Sequence, residues 1–174
     1  MIEIVLLDKS KHCEEIKEIF FLSSSIKSFS TEERKEDFFK RWCGDYILHY
    51  SDQFYVMVDG DTKKVLGYLS GCDNSIDSLS KLVIPGPECF KDMFEEYPAH
   101  FHINFHPDCR GKGFGSKLVE YYCRKLVTKN IPGVHIITST DANNISFYRQ
   151  MKFSYENVQV FGKAQLLFMG LKIC

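Results

Sequence analysis

The seven cysteines of this sequence include no C-x-x-C pair. That absence removes the usual thiolate spacing of a zinc site, and their odd number argues against a disulfide framework. Reduced thiols in a reducing compartment are therefore expected. Long apolar runs are lacking too. The longest are a few residues, against the roughly 20 that a membrane-spanning helix needs, so no membrane segment is expected. The start, MIEIVLLDKSKH, meets Asp8 and Lys9 before an apolar region of signal-peptide length develops. A cytoplasmic location is the expectation. Nor is there an excess of either charge. Lys and Arg number 22 against 23 Asp and Glu, for a net charge of −1, and they are scattered. A nucleic-acid binder held by phosphate contacts is thereby disfavoured. There are no internal repeats, low-complexity tracts or linkers.

What is present suits one globular domain spanning 1–174, long enough to bury a real core. Ile2–Leu7 reads as a strand. From Ser10 to about Ser25, the residues Cys13, Ile16, Ile19, Phe20 and Leu22 share one helical face. Ser30 with Glu33 forms a capping box for a second helix, with a break expected at Gly44-Asp45. Phe54–Val58 and Val65–Ser70 read as strands joined by the Asp59-Gly60 turn. Residues 71–98 are irregular, with a short helix around Cys89–Glu95. Such a segment is either a lid or specificity loop, or a packed insertion, and the sequence leaves both open. Val134–Thr138 is a strand and Ile145–Met151 a helix. Val158–Phe161 and Ala164–Leu171 are closing strands. Mixed strands and helices with one parallel crossover imply an α/β fold.

The most informative stretch is His100–Val127. Phe101, Ile103 and Phe105 alternate with His100, His102, Asn104 and His106, which predicts a strand. Pro107-Asp108 breaks it, and Arg110-Gly111-Lys112-Gly113-Phe114-Gly115 is a glycine-dense loop. Leu118, Val119, Tyr122, Leu126 and Val127 then recur at helical spacing, with Ser116 supporting the helix start. Strand, glycine loop and helix start together present bare N–H groups and a helix dipole to an anion. The Walker pattern fails, because Ser116-Lys117-Leu118 stands where Gly-Lys-Ser/Thr belongs. The dinucleotide fingerprint fails as well, because Ser116 replaces its third glycine.

Arg110-x-x-Gly113-x-Gly115 does match the pyrophosphate-binding signature of the GNAT superfamily of N-acetyltransferases, which this chain resembles. A second stretch, DANNISFYRQMKF at 141–153, is similar to the segment in which Asn precedes Phe-Tyr in that family. The resemblance is specific over 99–153 and covers most of the chain. It implies a central mixed, mostly antiparallel sheet flanked by helices, with a parallel V-shaped splay between the fourth and fifth strands. It implies acetyl-coenzyme A as acyl donor and a small-molecule or peptide amine as acceptor. No metal, nucleic-acid or membrane partner is implied, and the assembly is a monomer or homodimer.

Carried onto this sequence, the resemblance assigns the coenzyme to Asn104, Phe105, Arg110, Gly111, Lys112, Gly113, Phe114, Gly115, Ser116, Asn144 and Tyr148. The glycines are expected to adopt positive φ, and Arg110 and Lys112 to add charge to the phosphates. Tyr148 is the expected proton donor to the departing thiolate, and an amine attacks directly with no covalent enzyme intermediate. The leading base is His102, since histidine titrates near neutrality, with Asp73 and His106 as fallbacks. His100, His102 and His106 lack Cys or carboxylate partners at ligand spacing, so no metal site is expected. Tyr97–Asn104 and Pro132–His135 resemble more closely the acetyltransferase-like modules associated with O-GlcNAc hydrolases. There an acidic residue often stands where this chain has Asn104, and some members are silent. A catalytically silent module recognising a peptide or acyl-coenzyme A is the alternative function.

Overall fold

A computed structural model describes residues 1–173. In chain order the elements are β1 (Ile2–Leu6), α1 (Lys9–Ser23), α2 (Glu32–Phe39), a π-helical turn (Lys40–Gly44), α3 (Asp45–His49), β2 (Phe54–Asp59) and β3 (Val65–Cys72). There follow α4 (Ser75–Ser78), a 3-10 segment (Pro87–Met93), β4 (Ala99–Phe105), α5 (Phe114–Val127), β5 (Gly133–Ser139), α6 (Ile145–Gln150), β6 (Tyr155–Phe161) and β7 (Ala164–Lys172). The strands hydrogen-bond in the order β1-β2-β3-β4-β5-β7-β6. Pairing is antiparallel at β1–β2, β2–β3, β5–β7 and β6–β7. It is parallel at β4–β5, where the ladder holds two pairs, Ala99 with Val134 and His100 with His135. The fold is the α/β GNAT fold that the motifs imply, and so short a parallel ladder is what a splayed pair requires.

Contacts divide the chain into two compact units, one of Met1–Gly71 with His102–Tyr122, the other of Cys72–Phe101 with the chain from Cys123 onward. In the first unit, β2 is buried on both faces from Phe54 to Val58. Its run FYVMV is the near-continuous apolar pattern of a strand covered on both sides. Tyr55 meets Tyr121 and Tyr122 of α5 at 5.2 and 6.1 Å between ring centroids. Helix α1 buries Ile16, Ile19 and Phe20 as its periodicity predicts. One expected member differs, Leu22, which is exposed, while His12, outside the expected set, is buried with its Nδ1 accepting from the Asp8 backbone N–H at the helix start. The second unit is centred on Phe90, Phe94, Tyr97 and Phe168. Residues 71–98 thus supply three aromatic core side chains, which is the behaviour of a packed insertion.

Three local expectations need correction. Helix α2 is capped by Thr31, whose Oγ1 accepts from Arg34 N at 3.2 Å, and not by Ser30. Gly44-Asp45 does not break the helix, because Gly44 keeps helical torsions and the π-turn carries α2 into α3. The extra residue of that turn shifts the buried face, so that Cys43, Asp45 and Tyr46 point inward while Leu48 is exposed. Helix α5 begins at Phe114, which places Gly115 and Ser116 inside its first turn.

Candidate functional site

Strand β4 delivers the chain to the glycine loop within the first unit. Leu66 O accepts from His106 N, and the Phe105 ring lies where a side chain on Gly67 would stand. These contacts fix β3 and β4 antiparallel, with Tyr68 beside Asn104. After Phe105 a 3-10 turn (Pro107–Cys109) is closed by His106, whose Nδ1 accepts from Asp108 N. Gly111 and Gly113 then take φ of +71° and +74°, conformations that L side chains seldom adopt, and a Cβ at either would meet open space. Gly115, expected to share this role, is helical instead. The loop therefore lays bare backbone against the first turn of α5, whose leading N–H groups have no intrahelical acceptor. That combination suits a pyrophosphate.

Arg110, expected to reach toward the phosphates, is a clamp in this structure. Its Nε donates to Phe105 O at 3.2 Å and its Nη2 to Ser23 Oγ at 3.1 Å, tying the loop to the ends of β4 and α1. Lys112 is exposed at the loop surface. Phe105 and Phe114 pack at 6.4 Å across the loop.

On the β3–β4 face, Asn104 Nδ2 donates to Tyr68 Oη at 2.9 Å. Tyr68 is fully enclosed and is also hydrogen-bonded to Cys43. Burial pushes the Tyr68 phenol well above its usual value and the Cys43 thiol up to about 12, so both stay protonated. His102, two residues before Asn104 on the same face, stands edge-on to Trp42 and Tyr46 at 5.9 and 5.4 Å. Part of its surface remains exposed, yet desolvation by these walls pulls its pKa down to about 4. At pH 7 His102 is neutral and a weak proton acceptor. Tyr68 and Cys43 were not candidates from sequence. Tyr68 lies in the expected Val65–Ser70 strand, but it finds Asn104 only through the strand register.

Beside the α1–α2 connection lies a cavity of about 410 Å³, walled by Phe21, Ile26 and Phe29 and rimmed by Lys27, Glu32 and Lys35.

In the second unit, Tyr148 of α6 is buried against Phe101, Phe147 and Phe153 at 6.2, 5.1 and 5.6 Å. Burial raises its phenol pKa well above the usual value. Asn144 caps α6 through its backbone, with an exposed side chain that makes no capping bond. Asp73, a fallback base, is engaged by Lys129 at 2.7 Å. Among the described residues no group of three or more His, Cys, Asp or Glu is arranged to hold a metal, and no helix is long and apolar enough to cross a membrane.

The model of the acetyltransferase (GNAT) family matches residues 13–153. No curated protein matches the sequence. Among solved structures, SsHAT is similar at a TM-score of 0.77 and 19% identity, over 99% of this chain and 98% of that one. YncA from Salmonella typhimurium, solved with its cofactor acetyl-CoA, gives 0.58 and 19%, over 99% and 94%. The PaiA N-acetyltransferase from Thermoplasma acidophilum, in complex with coenzyme A, gives 0.62 and 13%, over 98% and 99%. At these identities the likeness is one of fold.

Proposed function

We propose, since the chain belongs to the acetyltransferase (GNAT) family, that it is an acetyl-coenzyme A-dependent N-acetyltransferase acting on a primary amine. The carrying observation is the strand–loop–helix passage of residues 99–127, with left-handed Gly111 and Gly113 leading into α5. The coenzyme, when bound, supplies an acetyl thioester to the attacking nitrogen. The N–H groups of Lys112 to Ser116 receive its pyrophosphate, and the charge of Lys112 reinforces them. Arg110 holds the loop in shape. The family resemblance assigns backbone groups at Asn104 and Phe105 to the pantetheine arm, and separately assigns Asn144, whose side chain is exposed, to the coenzyme. Tyr148 keeps its proton at neutral pH and donates it to the departing thiolate. His102 is the leading acceptor for the amine proton, and a weak one.

The two units interleave in sequence, with the chain passing between them at 71/72, 101/102 and 122/123, which supports treating 1–174 as one domain. Four free thiols, Cys13, Cys43, Cys89 and Cys109, accord with a reducing, cytoplasmic setting. Tyr97–Asn104 and Pro132–His135 support kinship with the acetyltransferase-like modules of O-GlcNAc hydrolases.

Calorimetry with acetyl-coenzyme A tests the reading. Wild type is expected to bind, and Gly113→Glu to lose binding, because a carboxylate at a left-handed loop position strains the backbone and repels phosphate. Absence of wild-type binding at high ligand concentration overturns the enzyme assignment. A second reading, a catalytically silent module recognising a peptide or acyl-coenzyme A, is favoured by Asn104 and the weak basicity of His102. Binding without transfer to any amine would establish it.

A further inference from the structure

From the cavity by the α1–α2 connection a line of aromatic rings runs to the β3–β4 face, all inside the first unit. Phe21 and Phe29 are 5.9 Å apart, Phe29 and Phe38 5.4 Å, Phe38 and Trp42 6.4 Å, and Trp42 and His102 5.9 Å. Each of the five rings is half-buried, so each keeps some surface accessible along the strip. Spacings of 4.5–7 Å are those of packed aromatic pairs, and an exposed strip of them receives another flat apolar group readily. The strip ends on polar groups in His102 and Asn104. Asn104 is half-exposed, and its bond to Tyr68 occupies Nδ2 and leaves Oδ1 to accept a hydrogen bond from a further donor.

The titratable side chain that the same end exposes, His102, is a poor base for a strong amine. Tyr68 and Ser70 of β3 are buried there, and the half-buried polar positions at this end of β4 are His102 and Asn104, neither a carboxylate. The titratable groups packed there include the phenols of Tyr46 and Tyr68 and the thiol of Cys43. The nearby charge of Asp45 is paired with Lys40 at 2.7 Å. His102 is held neutral and weakly basic by its aromatic walls.

Building on the acetyltransferase reading above, we infer that the acceptor is a weakly basic amine carried on an aromatic body, which lies along the Phe38–Trp42 strip and presents its nitrogen to Asn104 Oδ1. Such an amine has roughly a tenth of its molecules neutral at pH 7, against well under a thousandth for an alkylamine. Its lone pair forms the new C–N bond to the acetyl carbon as the C–S bond breaks and its electron pair leaves on sulfur. Once bonded to carbon the nitrogen is acidic, so water or His102 suffices to take its proton, and the thiolate is protonated to the free thiol. A strongly basic amine would have to lose its proton first, and His102, lowered to about 4, is too weak a base to take it at neutral pH.

Two probes with the same ring separate the cases. Phenylalaninamide carries an α-amine with a pKa near 7.7–8, and phenethylamine an alkylamine near the 10.4 of lysine. At pH 7 their neutral fractions differ by about a hundredfold or more. The expected result is a kcat/KM for phenylalaninamide higher by about that factor. That for phenethylamine should rise about tenfold per pH unit from 7 to 9. Trp42→Phe should keep acetylation of phenylalaninamide, while Trp42→Ala raises its KM without changing that of glycinamide, which has no ring. Comparable kcat/KM values for the two aromatic amines at pH 7 overturn the inference. So does equal loss with both ringed and ringless amines in Trp42→Ala. Transfer to neither probe while acetyl-coenzyme A still binds overturns the amine class alone. Failure to bind acetyl-coenzyme A overturns the parent reading with it.

Discussion

Gly67→Ala tests the packing that sets the end of β4. A Cβ built at Gly67 would stand 2.2, 2.5 and 2.6 Å from Cδ1, Cε1 and Cγ of Phe105. No real Cβ tolerates such contacts, and Phe105 is only 8% exposed, so the ring cannot swing freely into solvent. Overpacking of this kind costs about 1–3 kcal/mol. Replacing a strand glycine by alanine returns roughly 0.5–1 kcal/mol through the unfolded chain. The net expectation is a loss of about 1–2 kcal/mol. At roughly 2–4 °C per kcal/mol for a chain of this size, Tm should fall by about 2–8 °C. Urea and thermal unfolding, followed together to check two-state behaviour, measure it. The decisive arm is the double mutant. In a Phe105→Ala background the obstacle is gone, and Gly67→Ala should become stabilising by about 0.5–1 kcal/mol. Additive effects, with the alanine equally harmful in both backgrounds, would refute the proposition that Gly67 exists to seat the Phe105 ring.

His102 makes stability pH-dependent. The unfolded chain takes up its proton near 6.5 and the folded protein only near about 4. Its contribution is therefore complete above 6.5 and is lost as pH falls through that window, by on the order of 3 kcal/mol. Urea midpoints measured from pH 7.5 to 4.5 should show a steeper decline in wild type than in His102→Gln. Arg110→Ala should weaken acetyl-coenzyme A binding at least about tenfold while Tm moves by under about 3 °C, because it frees an exposed loop and leaves the core intact; calorimetry and melting curves separate the two. Thr31→Ala should cost about 1 kcal/mol, the usual value of a helix N-cap, whereas Ser30→Ala should be nearly neutral by the same denaturation assay. Ser70 is fully buried, and its hydroxyl has no partner among the described residues. Ser70→Ala should therefore leave stability unchanged or raise it by up to about 1 kcal/mol in urea titrations.

What the sequence made legible was decided within a few residues of chain. The alternation at 101–105 and the helical spacing of Leu118, Val119, Tyr122 and Leu126 each reflect a local period and lie within an observed element, and the Asp-Gly turn joins two observed strands. The glycine loop was legible for the same reason, since positive φ at Gly111 and Gly113 is a demand on single residues. Where the sequence misled, neighbouring candidates were chemically close or the outcome was tertiary. Ser30 and Thr31 are both fit caps, and which one serves depends on the turn that precedes the helix. The π-turn at 40–44 leaves no local signature, yet it rotates Tyr46 onto the core and strands Leu48 outside. Arg110 carried the expected charge, but its destination, Ser23, is 87 residues away in sequence.

The C-terminal half of β4 is where these distant effects meet. Phe105 is seated by the missing side chain of Gly67, and its carbonyl oxygen takes bonds from Arg110 Nε and, at 3.4 Å, Ser23 Oγ. Asn104 is held by Tyr68, and His106 by Leu66. Three consecutive residues are thus tied to β3, to α1 and to the loop that follows them. The loop itself has few such ties, since Gly111, Lys112 and Gly113 are exposed and a side chain on either glycine would touch nothing. Its shape must then be inherited from the strand end, with Arg110 as the link. Backbone N–H groups aimed at an anion bind well only when their directions are set beforehand, because ordering a free loop costs about 1–2 kcal/mol per residue. Loosening Phe105 should therefore weaken anion binding even though no atom of Phe105 needs to touch the phosphates.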